Sequence, residues 1–168
     1  MKKIILTTNL LFHIALGLNI AIFPVILKNN GVGEFFMGIS GMVELSIGIF
    51  IAPYLNKLCD KIPAPKLISI FLLIYAALML ILPFYQNYIL WLIFMIPMGA
   101  SWFSYYALAS SLYNQNLSNE KRGFMFSLFT LSIVSGLAIG TFIIKFIGST
   151  NYLAFIICAI LALSLIHI

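Results

Sequence analysis

Long apolar runs alternate along this chain with short breaks marked by Gly, Pro, Asn and charged residues. An apolar run of about 20 residues crosses the roughly 30 Å hydrocarbon core of a bilayer as an α-helix. The breaks predict six such helices, at residues 4–27, 35–56, 66–85, 88–111, 123–147 and 151–166. Because the linkers are short and lipid-exposed backbone cannot cross hydrocarbon without internal hydrogen bonds, we expect consecutive helices to form antiparallel hairpins.

Composition supports a membrane protein. The 168 residues are 63% hydrophobic and 8% charged, whereas a soluble domain carries about 25% charged residues. The sequence therefore predicts an all-α, polytopic membrane helical bundle that fills residues 1–168 as a single transmembrane domain.

The distribution of cations predicts the orientation of this bundle. When alternate loops are placed on the same side, seven of the nine basic residues fall on one side: Lys2, Lys3, Lys57, Lys61, Lys66, Lys121 and Arg122. Lys28 and Lys145 fall on the other side. The positive-inside bias then places the N-terminus in the cytoplasm, and we expect a protein of the plasma (inner) membrane. The cations form no continuous basic stripe, so nucleic acid is not an expected partner.

The chemistry-bearing residues indicate no enzyme. The two histidines, two cysteines and four acids have none of the spacings typical of a metal site, a nucleophile elbow or a phosphate-binding loop. We therefore expect no catalytic residues, no metal and no cofactor.

Glu44 and His13 are the candidate residues for proton coupling or substrate contact. Glu44 lies about nine residues into the second span, or roughly 14 Å deep at 1.5 Å per residue. His13 lies at a similar depth in the first span. The two side chains could therefore contact each other if their helices are neighbours. Charged side chains at such depth are costly and usually face the bundle interior or water. The alternative is that each is a neutral, hydrogen-bonded packing residue.

Uncharged polar residues in the spans are candidates for lining a cavity. Asn9, His13 and Gly17 are spaced four apart and share one face of the first helix, which is the candidate cavity wall from that helix. The full set of uncharged candidates is Asn9, Ser101, Ser104, Tyr105, Ser127 and Thr130. The alternative for the hydroxyl groups is a bond to their own helix backbone or to a neighbouring helix.

The loop between the second and third spans carries a motif. Residues 56–66 read NKLCDKIPAPK and resemble the major facilitator superfamily signature G-x-x-x-D-[RK]-x-G-x-[RK]-[RK]. Asp60, Lys61 and Lys66 fall on charged positions of that signature, whereas Asn56 and Pro63 replace its glycines and a proline replaces one basic residue. The resemblance implies that Asp60 and Lys61 help to latch the cytoplasmic helix ends together.

A second resemblance to the same family lies around the fifth span. Residues 119–123 are similar to the basic, glycine-ended start of the family's fifth helix. Gly136 and Gly140 match two glycines of its antiporter motif, and small residues four apart let two helix backbones approach closely. Ser127 replaces an earlier glycine of that motif, and Met95 occupies the position of the family's arginine in helix four.

The resemblance implies the N-terminal six-helix half of a transporter that moves a small solute by secondary active transport and alternating access. Helices one, two, four and five are then expected to form the cavity. The implied partners are the solute, a coupling proton or other ion, the lipid bilayer, and the missing C-terminal half or a second copy. Two alternatives are a non-transporting scaffold or assembly protein that docks through Gly136 and Gly140, and a half-transporter that acts as a homodimer.

The last six residues, Leu-Ser-Leu-Ile-His-Ile, equal the translation of a transposase adapter used in sequencing libraries. We expect a truncated sequence whose residues 163–168 are not native, and we assign His167 no role.

Overall fold

Six α-helices form the protein in a computed structural model that describes residues 2–85, 87–115, 119–148 and 152–166. They are α1 (Lys2–Asn29), α2 (Glu34–Cys59), α3 (Ala64–Ile81), α4 (Tyr88–Asn114), α5 (Asn119–Ile147) and α6 (Tyr152–Leu163). The described residues contain no β-strand, so the predicted all-α bundle is confirmed. His167 lies outside the described residues.

Two helices end earlier than predicted. α3 stops at Ile81 and continues as a 3₁₀ turn over Leu82–Phe84, because Pro83 has no N–H to extend the α-helical hydrogen bonds. α6 stops at Leu163 rather than at residue 166, and single turns follow it.

Five of the described helices are long and apolar enough to cross a membrane, whereas α6 is shorter. Its 12 residues extend about 18 Å at 1.5 Å per residue. That length is well below the roughly 30 Å of a hydrocarbon core.

α1 lies in the middle of the bundle. It packs mainly along α5 and also against α6, while α2 pairs with α4, and α3 packs between α4 and α6. In the most apolar stretch of α1, 56% of the residues are buried, against 11% for α2 and 17% for α5. α2 and α5 therefore expose most of their apolar side chains.

Small residues bring α1 and α5 into backbone contact. A Cβ atom added to Gly136 would lie 2.7 Å from the carbonyl oxygen of Leu10, and one added to Gly140 would lie 2.9 Å from the Cα of Gly17 and would meet the carbonyl oxygen of Ile14. Both glycines are buried. The face they form is covered by α1, so it is not open to a partner, in contrast to the docking role that the scaffold alternative gave it.

The turn between α2 and α3 is compact. The backbone N–H of Ile62 donates to the carbonyl oxygen of Leu58 at 2.8 Å. Pro63 replaces a glycine of the family signature, and its φ of −55° requires no left-handed conformation. The side chains of Asp60 and Lys61 are exposed. Neither side chain forms an ion pair or hydrogen bond within the described part of the chain, so the latch implied for them is not made among these residues.

Candidate functional site

A cavity of about 590 Å³ lies between α1, α2, α4 and α5. Most of the residues that line it are apolar, and three carry the polar groups best placed to orient a ligand: His13, Asn19 and Glu44. Four aromatic residues also line the cavity: Phe23, Trp102, Phe103 and Tyr106. A largely apolar cavity with a few converging polar groups is typical of small-molecule binding sites.

Glu44 reaches this cavity from the middle of α2. Its backbone lies tightly against α4, because a Cβ atom added to Gly99 would meet the Glu44 carbonyl oxygen. The Glu44 side chain is half-buried. No described residue forms an ion pair or a hydrogen bond with its carboxyl group. The close α2–α4 contact therefore fixes the position of an acidic side chain that has no partner among the described residues.

His13 reaches the same cavity from α1. It is only 2% exposed, and its Nδ1 lies 2.7 Å from the carbonyl oxygen of Asn9. Since a carbonyl oxygen only accepts hydrogen bonds, Nδ1 carries a hydrogen and donates it. No described residue bonds Nε2. His13 and Glu44, which the sequence placed at similar depth, thus line one cavity, and each has polar atoms without a partner in the described part of the chain.

Three cavity residues that carry polar side-chain atoms were not among the candidates from the sequence. Asn19 is buried on α1, and its amide nitrogen has a long contact of 4.0 Å to the Met98 sulfur. Trp102 and Tyr106 lie one helical turn apart on α4. The signal for Asn19 was present, since a polar residue in a membrane helix is by default a functional candidate. Aromatic residues give no comparable signal, because they are equally common in packed cores.

Asn9 and Gly17 belong to the α1–α5 contact rather than to the cavity. The Asn9 amide donates to the Ser132 hydroxyl at 2.7 Å and to the Phe129 carbonyl at 3.3 Å. A Cβ atom added to Gly17 would lie 2.5 Å from the Leu137 carbonyl oxygen. The face of α1 that lines the cavity therefore differs from the predicted face. Of Asn9, His13 and Gly17, only His13 lines the cavity.

The candidate hydroxyl residues also lie outside this cavity. Ser101 donates to the Pro97 carbonyl at 2.7 Å, and exposed Ser127 donates to the Gly123 carbonyl at 3.0 Å. Thr130 is exposed on α5. Ser104 and Tyr105 are buried, and their hydroxyl oxygens have no described partner. Tyr105 instead lines a separate cavity of about 130 Å³ that also includes Thr8 and Ser69. Ser101 and Ser127 therefore bond their own helix backbone, as the alternative interpretation of the hydroxyl groups predicted.

Long apolar helices around a cavity with isolated polar groups define a class of protein, the polytopic membrane protein with an internal cavity. The sequence profile of the Major Facilitator Superfamily matches residues 5–168. The chain therefore belongs to the Major Facilitator Superfamily, whose members are transporters, and its six helices fit an N-terminal half of such a transporter. No curated protein matches the chain significantly.

Proposed function

We propose that this chain takes part in secondary active transport of a small solute by alternating access, with the cavity between α1, α2, α4 and α5 as part of the transport path. The observation that carries the proposal is the Glu44 carboxyl group, which lines the same cavity as His13 and has no partner among the described residues. The positive-inside bias supports a cytoplasmic N-terminus in the plasma membrane.

An acidic group within a membrane helix is costly to leave charged and unpaired. A bound proton or a bound solute therefore lowers the free energy of the state in which Glu44 faces the cavity. If proton and solute compete for this one group, or if each favours a different conformation, binding of one shifts the population available to the other. Glu44 is thus the proposed coupling residue, and the free Nε2 of His13 is a second site for a proton or a hydrogen bond.

The proposal includes a second six-helix body that completes the site. α2 and α5 border the cavity and expose large apolar side chains, including Ile49 on α2 and Leu131 on α5, which are 75% and 60% exposed. Transporters of this kind bind solute between two repeats near the bilayer midplane. The second body is the missing C-terminal half or a second copy of this chain.

The first test compares two acids of the same helix. We expect Glu44→Gln to abolish solute-dependent proton flux in proteoliposomes that contain a pH-sensitive dye, because glutamine keeps the shape of the side chain but cannot exchange a proton. Glu34 is exposed at the start of α2 and lies outside the cavity. Glu34→Gln should therefore retain the wild-type flux. A panel of small solutes identifies one that drives flux in the wild type, and unchanged flux in Glu44→Gln would exclude the coupling role.

A further inference from the structure

The described lining of the cavity contains one acidic side chain and no lysine or arginine to balance it. Fifteen of the described residues line the cavity, and the acid among these is Glu44. His13 holds its Nδ1 hydrogen in the bond to Asn9 and leaves Nε2 free. A carboxylate in a low-dielectric site attracts a cation far more strongly than it would in water. The lining therefore favours a positively charged solute and opposes an anion.

The aromatic groups around the cavity favour the same charge. Trp102, Phe103 and Tyr106 come from α4, and Phe23 comes from α1. The rings of Trp102 and Phe103 lie at 70° to each other with centroids 5.9 Å apart, so they present differently oriented surfaces. The face of an aromatic ring attracts cations, most strongly for tryptophan. The same rings also offer apolar area to the body of an organic solute.

We infer that the solute is an amphipathic organic monocation, with Glu44 as the counter-ion and the four aromatic residues as the surface for its apolar body. This inference rests on the proposed function and specifies its substrate class. A volume of about 590 Å³ lies within the roughly 300–1,000 Å³ of sites for drug-sized molecules.

Other solute classes fit the lining less well. A sugar needs many hydrogen-bonding groups, whereas most residues of this lining are apolar. A divalent metal such as Ca²⁺ needs about six to eight oxygen ligands, and one carboxyl group cannot supply them. An organic monocation needs one counter-charge and a large apolar surface, which matches the residues present.

Tryptophan fluorescence can test this inference without measuring transport. The chain has two tryptophans. Trp102 lines the cavity, whereas Trp91 is buried outside it and donates from Nε1 to the Tyr85 carbonyl at 2.7 Å. The probes are tetraphenylphosphonium and tetraphenylborate, which have nearly the same shape and opposite charge. We expect tetraphenylphosphonium to change the fluorescence of the purified full chain saturably, and tetraphenylborate neither to reproduce this change nor to compete.

Variants locate the binding site. Trp102→Phe should remove the saturable signal, while Glu44→Gln should weaken tetraphenylphosphonium binding by about tenfold or more, as expected for loss of a charged partner. The control Glu34→Gln should bind as the wild type does. Circular dichroism and gel filtration check that each variant is folded, and if Glu44→Gln does not fold, the comparison of the two probes on the wild type still decides.

The inference is overturned if tetraphenylborate binds as well as tetraphenylphosphonium, if Glu44→Gln binds the cation with unchanged affinity, or if the wild type shows no saturable change. The proposed transport function fails separately. If only non-cationic solutes drove proton flux, the transport function would stand and the inferred cationic substrate would be wrong. If cations bound in a Glu44-dependent way but no solute drove flux, the cation site would stand and the proposed transport function would be wrong.

Discussion

At the scale of single residues, the polar positions could be identified from the sequence but their partners could not. Asn9 and His13 lie on the same helix, and both are unusual in an apolar span. Asn9 bonds α5, whereas His13 lines the cavity. A small difference in direction around the helix axis decides which neighbour each side chain contacts. Glu44 was identifiable because a charge in a membrane helix has few purely structural uses. The hydroxyls of Ser101 and Ser127 were ambiguous, because bonding to their own helix satisfies them equally well.

Asn9 gives a direct test of the α1–α5 hydrogen bonds. We expect Asn9→Ala to lower the free energy of unfolding by about 1 kcal/mol, since hydrogen bonds between membrane helices contribute about 0.6 kcal/mol on average and up to about 1.7. Unfolding by SDS titration, followed by circular dichroism, measures the change. Asn29, exposed at the end of α1, provides the control Asn29→Ala, which should change stability little. Equal losses in both variants would show that the Asn9 bonds contribute nothing specific.

At the scale of helices, the number and approximate position of the elements followed from the apolar runs. All six helices were predicted, and α4 and α5 end within a few residues of the predicted bounds. Helix pairing was less accessible, because a glycine in a sequence does not reveal which backbone approaches it. Gly136 and Gly140 had the spacing of a packing motif, but Gly99, which contacts the Glu44 backbone, stands alone in its helix. The sequence therefore gave no sign that α4 positions the acidic residue.

The α1–α5 crossing should be sensitive to a single methyl group. A Cβ atom on Gly140 would lie 2.8 Å from the Leu18 nitrogen and 2.9 Å from the Gly17 Cα. These are backbone atoms, which cannot move aside as the end of a side chain can. We expect Gly140→Ala to lower the free energy of unfolding by about 1–3 kcal/mol, the usual cost of overpacking. A thermal or SDS unfolding series gives the value.

Gly38 supplies the matched control for that substitution. It lies within α2, and nothing approaches its added Cβ atom within 4 Å. Gly38→Ala should leave stability unchanged or raise it by up to about 1 kcal/mol, because alanine is the better helix former. If Gly140→Ala were as stable as Gly38→Ala, the two helices would have to separate more easily than the packed structure indicates.

At the scale of the whole molecule, the cavity lies between two pairs of helices, and the members of each pair are far apart in the chain. α1 and α5 pack together, α2 and α4 pack together, and the cavity lies between these two pairs. The family resemblance implied these four helices, but no periodicity in the sequence specifies the gap between the pairs or the residues that face it. The apolar faces of α2 and α5 that remain exposed give the molecule a surface suited to lipid or to a second six-helix body.

The orientation of the molecule can be tested with its own thiols. Cys59 is exposed at the end of α2, next to the turn that holds Asp60 and Lys61, whereas Cys158 is fully buried and its sulfur lies 3.3 Å from the Ala15 carbonyl oxygen. If the positive-inside bias holds, Cys59 faces the cytoplasm. A membrane-impermeant maleimide should then label it only after the cells are permeabilised, and Cys59→Ser should remove the labelling because Cys158 is inaccessible.

The opposite turn completes that experiment. Asn30 is exposed between α1 and α2, at the other end of α2 from Cys59. Asn30→Cys in the Cys59→Ser background should therefore be labelled in intact cells. Labelling of Cys59 in intact cells, with Asn30→Cys protected, would reverse the orientation and place Lys57 and Lys61 outside the cell. Because the cavity geometry is the same in either orientation, that result would change the direction from which solute and proton approach Glu44 without changing the residues proposed to bind them.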